Sequence, residues 1–146
     1  MNKPSLKIIE FINEHHVLAL ATVNEKNESA SCSVFYVFNE DGMNFVFASD
    51  EKTEHIQNIS KNKKVSCSIH LETKEVGTIR GVQVKAEVKE GSKEDKQAYL
   101  KAFPYARIMP NLHVWKMSVN YLKYTDNRLG FGKKELWESI EPSGQT

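Results

Sequence analysis

Three short stretches of the chain carry side chains suited to holding an anion. The first is TDNRLGFGKKELW, residues 125–137, where Gly130 and Gly132 free the backbone to approach a ligand closely and Lys133 and Lys134 add two cations. The second runs from Ala48 through Ser49 to Thr53 and His55, at the end of one strand-like run and the start of a short helix. Amide N–H groups point outward at such a helix start and attract phosphate. The third is Arg80, at the start of a strand. Each has a structural reading as well. Terminal glycines make turns, paired lysines are solvated, and an arginine pairs with a nearby carboxylate.

Other chemistries find less support. Of His15, His16, His55, His70 and His113, only the first two adjoin, and neighbouring residues on one element point apart. With no HxxxH and no CxxC spacing, a metal site is not expected. Cys32 and Cys67 lie mid-strand without an adjacent base, and no GxSxG elbow exists, so a nucleophilic hydrolase is not expected either. GFGKK fails as a phosphate loop at two positions. Asn127 stands where the first glycine is required, and Lys134 where a serine or threonine is required. No GxGxxG opens a helix, and no catalytic residue stands out.

The elements that must position these residues read as strands with helices between them. Pro4 and Ser5 start a helix whose apolar face is Leu6, Ile8, Ile9, Phe11 and Ile12. Strands follow at 17–23, 31–38 and 43–48, the last two joined by a turn in which Gly42 is expected to take a positive φ. Ser49 and Asp50 are the N-cap candidates for the next helix, whose buried face is Ile56 and Ile59. Strands at 65–71 and 78–89 come next, the second alternating inward at Ile79, Val82, Val84, Ala86 and Val88. Ser92 to Asp95 is a capping-box signature opening a helix that stops at Phe103-Pro104. VWKMSV and YLKYT are strand-like again. Six or seven strands with three helices and no βαβ alternation imply a mainly β (α+β) fold, a closed or partly closed antiparallel barrel with peripheral helices.

The composition of this 146-residue chain is that of one globular domain, 40% hydrophobic and 27% charged. A net charge of +1 opposes a nucleic-acid partner, and Lys61 to Lys64, the densest basic run, reads as a solvated loop. No stretch is apolar enough to span a membrane, and no export signal is visible. A cytoplasmic location with reduced thiols is expected.

Taken together, HHVLALATV, SVFYVF, GMNFVFAS, TEHIQNISKNKKVS, IRGVQVKAEV and the helix ending in Phe-Pro resemble the FMN-binding split barrels related to pyridoxamine 5'-phosphate oxidase. RGVQVKAEV, FPYARIMP and TDNRLGFGKKELW resemble, more closely, the bacterial YhbP family within that superfamily. The resemblance covers residues 10 to 138. It implies a six-stranded antiparallel split β-barrel over residues 1–146, with a flexible tail at 139–146. It also implies a homodimer holding FMN in clefts at the subunit interface. On that pattern Ala48, Ser49, Thr53 and His55 face the flavin phosphate, although Thr53-Glu54-His55 stands where the oxidases have Ser-Arg-Lys. The oxidases' second-strand Arg and Lys are absent, their places falling near Ser31 and Tyr36. Lys133 or Lys134, with Arg80, is expected to restore the missing charge, Thr125 lies in the comparable cofactor region, and Phe131 or Trp137 is expected to stack on the ring. The resulting expectation is a flavin-dependent oxidoreductase acting on a small molecule other than pyridoxine phosphate, because the oxidases' Arg-Leu-His-Asp-Arg is not reproduced. Two alternatives stay open: a haem-binding split barrel with His15, His16 or His55 as ligand, and a cofactor-less barrel that binds another small anion or a protein.

Overall fold

The computed structural model describes residues 2–130 and 133–139. Its elements are α1 (Leu6–Glu14), β1 (Val17–Val23), β2 (Ser29–Asn39), β3 (Asn44–Ala48), α2 (Glu54–Lys61), β4 (Lys64–His70), β5 (Arg80–Glu90), α3 (Lys93–Ala102), β6 (Val114–Asp126) and β7 (Lys134–Glu138). Three short 3-10 turns lie between them, at Val76–Thr78, Pro104–Ile108 and Asn127–Leu129. The strands hydrogen-bond in the order β3-β2-β1-β4-β5-β6-β7, and β3 also pairs with β6. That last pairing closes the first six strands into an antiparallel barrel, with the Ser29–Phe35 half of β2 paired on one side only. The fold is mainly β. Phe131 and residues 140–146, the bulk of the expected tail, lie outside the described residues.

β6 is where the barrel and its extension meet. Its first half, from Val114 to Ser118, pairs with β3, and its second half, from Tyr121 to Thr125, pairs with β7. Across from it on β5, Lys85 faces Tyr121 while Ala86 faces Val119, so Asn120 is the extra residue of a β-bulge. The bulge shifts the inward phase by one. Met117 and Val119 are buried before it, Leu122 and Tyr124 after it.

Inward positions of all strands fill one core. Phe45, Phe47, Met117 and Leu122 are wholly buried, and the Phe45 ring is flanked by Tyr36 at 5.1 Å and Phe38 at 4.9 Å. The helix α1 seals one side with Ile8, Phe11 and Ile12, and the Tyr36 hydroxyl donates to the Ile12 carbonyl at 2.6 Å, tying helix to barrel. The expected capping box forms between Ser92 and Asp95 at the start of α3. Two turn readings change. Gly42 does not carry the positive φ; Met43 does, at 51°, and a side chain on Gly42 would crowd the Asn44 amide. Pro4 precedes the first helical turn, since Ser5 is the N-cap. Ile79, expected inward, lies before β5 and is exposed.

The outward face of β2, β1 and β4 has two rows of small side chains beside the exposed Val17–Phe35 pair. Ser33, Ala19 and Ser68 form one cross-strand row, and Ser31, Ala21 and Ser66 the next. Among the described residues no helix is long and apolar enough to cross a membrane.

Candidate functional site

The end of β3 and the start of α2 make a polar corner. Asp50 folds an Asx turn by accepting from the Lys52 amide at 2.8 Å, and Thr53 closes it by donating to the Asp50 carbonyl. The N-cap of α2 is therefore Thr53, whose Oγ1 accepts from Ile56, and not Ser49 or Asp50. This turn brings His55 back over the strand end. Its Nε2 lies 2.7 Å from Ser49 Oγ and 3.3 Å from Thr53 Oγ1, so three expected site residues converge on one atom. Ala48 pairs with Val114 directly beside them.

Two residues that the sequence did not single out hold this corner. The Trp115 indole N–H donates to the Ser49 carbonyl at 3.0 Å, and the Ser49 amide donates to the His113 carbonyl at 3.1 Å. The His113 ring stacks on Trp115 and faces Glu51 at 4.0 Å. Only the β3–β6 register makes this visible, because Phe47 faces Trp115 across it.

The corner is polar but not cationic. Its loop contains Asp50, Glu51 and Lys52, and α2 opens with Glu54. Burial lowers the His55 pKa below the ordinary imidazole value of 6.5, with Glu54 opposing in part. The folded ring thus binds fewer protons than the unfolded one, and stability rises with pH up to about 6.5. Urea midpoints are expected to fall as pH drops below that value, and His55→Asn to flatten this part of the profile. An unchanged profile in the variant would remove His55 from the explanation.

The other expected residues lie at the far end of β6. His70, Gly81, Thr125 and Lys134 form one cross-strand row over β4, β5, β6 and β7. A cavity of about 250 Å³ lies there, lined by Ser68, His70, Arg80, Gly81, Gln83 and Thr125 among others. Lys133 and Lys134 are exposed. The turn before them is set by Gly130, whose φ of 123° few other residues adopt. Buried Asp126 fixes the turn from within, accepting from the Arg128 side chain at 2.9 and 3.0 Å.

Arg80 and Trp137 do not face this row. The Arg80 guanidinium sits 5.4 Å from the centroid of the core ring of Phe11, and its Nε is buried without a hydrogen-bond partner. Trp137 pairs with Leu122 and belongs to the main core at 8% exposure, so it is packing rather than an open stacking wall. Phe131, the other expected ring partner, lies outside the described residues.

The two groups are far apart within one chain. The corner meets β6 at Val114 and the lysine end meets it at Thr125. At about 3.3 Å per residue, those eleven positions are roughly 36 Å of strand. Within one chain the corner and the lysine end thus lie at opposite ends of β6.

The surroundings of both thiols disfavour the thiolate. Burial pushes Cys67 up to about 12 and raises Cys32 as well. Among the described residues no three metal-binding side chains cluster. The basic run is locally balanced, with Lys61 at 3.3 Å from Glu25 and Lys63 at 3.6 Å from Glu87.

Comparison with known proteins matches residues 6–126 to the family described as pyridoxamine 5'-phosphate oxidase. A UPF0306 protein of Campylobacter jejuni is 37% identical over 128 residues, covering 88% of this chain and 93% of its own. Among solved structures, a haem-binding protein from Mycobacterium smegmatis superposes with a TM-score of 0.75 at 18% identity, covering 94% of this chain and 60% of that one. An FAD-binding protein from Mesorhizobium loti superposes with a TM-score of 0.67 at 10% identity, covering 84% and 94%. At those identities the two structures share the fold alone.

Proposed function

The chain belongs to the pyridoxamine 5'-phosphate oxidase family of split barrels, in its UPF0306 branch with the YhbP proteins, and from that premise we propose that it is a cytoplasmic, homodimeric FMN-binding protein. Its flavin lies in clefts shared by two copies. The observation that carries this reading is the division of the anion-binding groups between two ends of β6. One protomer's corner offers Ser49 Oγ, Thr53 Oγ1 and His55 to the phosphate, and the partner brings the exposed lysine end. The small side chains on the outer face of β1, β2 and β4 allow two barrels to approach closely there, as small residues do at close backbone contacts.

The residues fit the cofactor on these terms. A phosphate needs hydrogen-bond donors and balancing charge. Hydroxyl donors are present at the corner and cations at the other end. When bound, the flavin supplies hydride or electron transfer to a small acceptor. Trp115 and His113 hold the Ser49 backbone at the phosphate end, and His70, Gly81 and Thr125 form the wall behind the lysines.

An absorption spectrum of the untreated protein, repeated after adding FMN and gel filtration, tests the reading. Two flavin bands that stay with the protein support it. A Soret band favours haem, and a colourless protein that releases FMN favours another small anion. Lys133→Ala with Lys134→Ala is expected to weaken FMN retention about tenfold with the fold intact, two exposed charges each contributing at most about 1 kcal/mol. Unchanged affinity in this variant would exclude the lysines from the site.

A further inference from the structure

This inference rests on the flavin reading and concerns how its phosphate corner acquires charge. Phosphate at neutral pH is close to a dianion. The β3–α2 corner nevertheless presents Asp50, Glu51 and Glu54 against Lys52, and its inner wall holds hydroxyls rather than guanidinium or ammonium groups. His55 is the ring on which that wall converges. Its Nε2 lies 2.7 Å from Ser49 Oγ, whose hydrogen can instead turn toward an anion, and 3.3 Å from Thr53 Oγ1, whose hydrogen goes to the Asp50 carbonyl.

We propose that His55 meets the phosphate as an imidazolium, taking up one proton from solvent for each phosphate bound. In the free protein the neutral ring accepts a hydroxyl hydrogen at Nε2. With phosphate present, the protonated Nε2 becomes a donor, Ser49 rotates to donate as well, and the corner gains the positive charge its loop lacks. The ionisable groups around the ring are Glu54 on its own helix, Asp50, Glu51 and Lys52 in the preceding loop, and His113 at the foot of β6. His113 Nδ1 lies 4.0 Å from Glu51, and its ring stacks on Trp115. Phosphate affinity in this protein is thereby linked to pH through one side chain.

The test is calorimetric titration of FMN, riboflavin and inorganic phosphate into the protein across neutral pH, in two buffers of different ionisation enthalpy. The expected result is one proton taken up per FMN at the upper end of the range, with affinity falling toward tenfold per pH unit there. Riboflavin, which lacks the phosphate, shows neither effect. His55→Asn binds FMN more weakly at the lower end and loses the uptake. His55→Lys binds tightly at every pH with no uptake, a rescue that a purely structural histidine would not show. FMN binding with no proton uptake would overturn the inference and leave the flavin reading standing. If FMN does not bind but inorganic phosphate binds with uptake that His55→Asn abolishes, the flavin reading fails and the inference holds. Absence of binding by all three ligands would overturn both.

Discussion

Aspartate in place of Thr53 is expected to leave the fold intact and to cut FMN affinity by at least about 100-fold, or roughly 2.7 kcal/mol. The two halves of this result have separate causes. Thr53 is the N-cap of α2, accepting from the Ile56 amide, and aspartate serves as well as threonine in that role. Aspartate cannot donate to the Asp50 carbonyl as the hydroxyl does, so a melting temperature lower by a few degrees is expected with the fold intact. The same substitution exchanges a neutral hydroxyl at the corner for a carboxylate that repels the phosphate, beside Asp50, Glu51 and Glu54. Fluorescence quenching of FMN measures the affinity directly. Retained affinity with retained stability would place the phosphate elsewhere.

Phe45→Ala is expected to be the most damaging single change in the barrel. The ring is wholly buried, packed edge-on to Tyr36 and tilted against Phe38, and Phe45 faces Phe38 and Met117 across β2 and β6. Truncation removes its burial and leaves a cavity that closed strands cannot collapse into, a loss of about 3–5 kcal/mol. For a chain of this size that lowers the melting temperature by on the order of 10 °C. Because Phe45 lies on the strand leading to Ala48 and Ser49, residual flavin binding is expected to melt together with the fold. A smaller loss, under about 1.5 kcal/mol, would mean the core repacks around the gap.

Much of the barrel was legible because period-2 alternation survives in most strands. Val82, Val84, Ala86 and Val88 point inward as the pattern requires. β6 broke into two runs in the sequence because the bulge at Asn120 resets the phase, while pairing with β5 keeps the backbone continuous. Local chemistry misplaced the α2 cap, since Ser49 and Asp50 are good caps in isolation. The Asx turn at Asp50 delays the helix to Thr53.

The site was legible in its residue types and not in its distances. Ser49, Thr53 and His55 are close in sequence, and one turn suffices to bring them together. Arg80 and Trp137 depend on which face of a strand they occupy. The register with Asp126 and Leu122 turns both inward, onto Phe11 and into the core. Trp115 and His113 gave no local signal because their part is played across the β3–β6 pairing.

The central claim is that one ligand site is built from the corner of one chain and the lysine end of another. Thr53→Asp damages only the corner, and Lys133→Ala with Lys134→Ala damages only the other end. The two variants, refolded together, form mixed dimers in which one of the two clefts carries no substitution. At an FMN concentration a few times the Kd of the unsubstituted protein, mixing is predicted to raise loading above the average of the separate variants, because random pairing in a two-fold dimer leaves about one cleft in four unsubstituted. Loading no greater than the average of the separate variants would contradict the account and confine the site to a single chain.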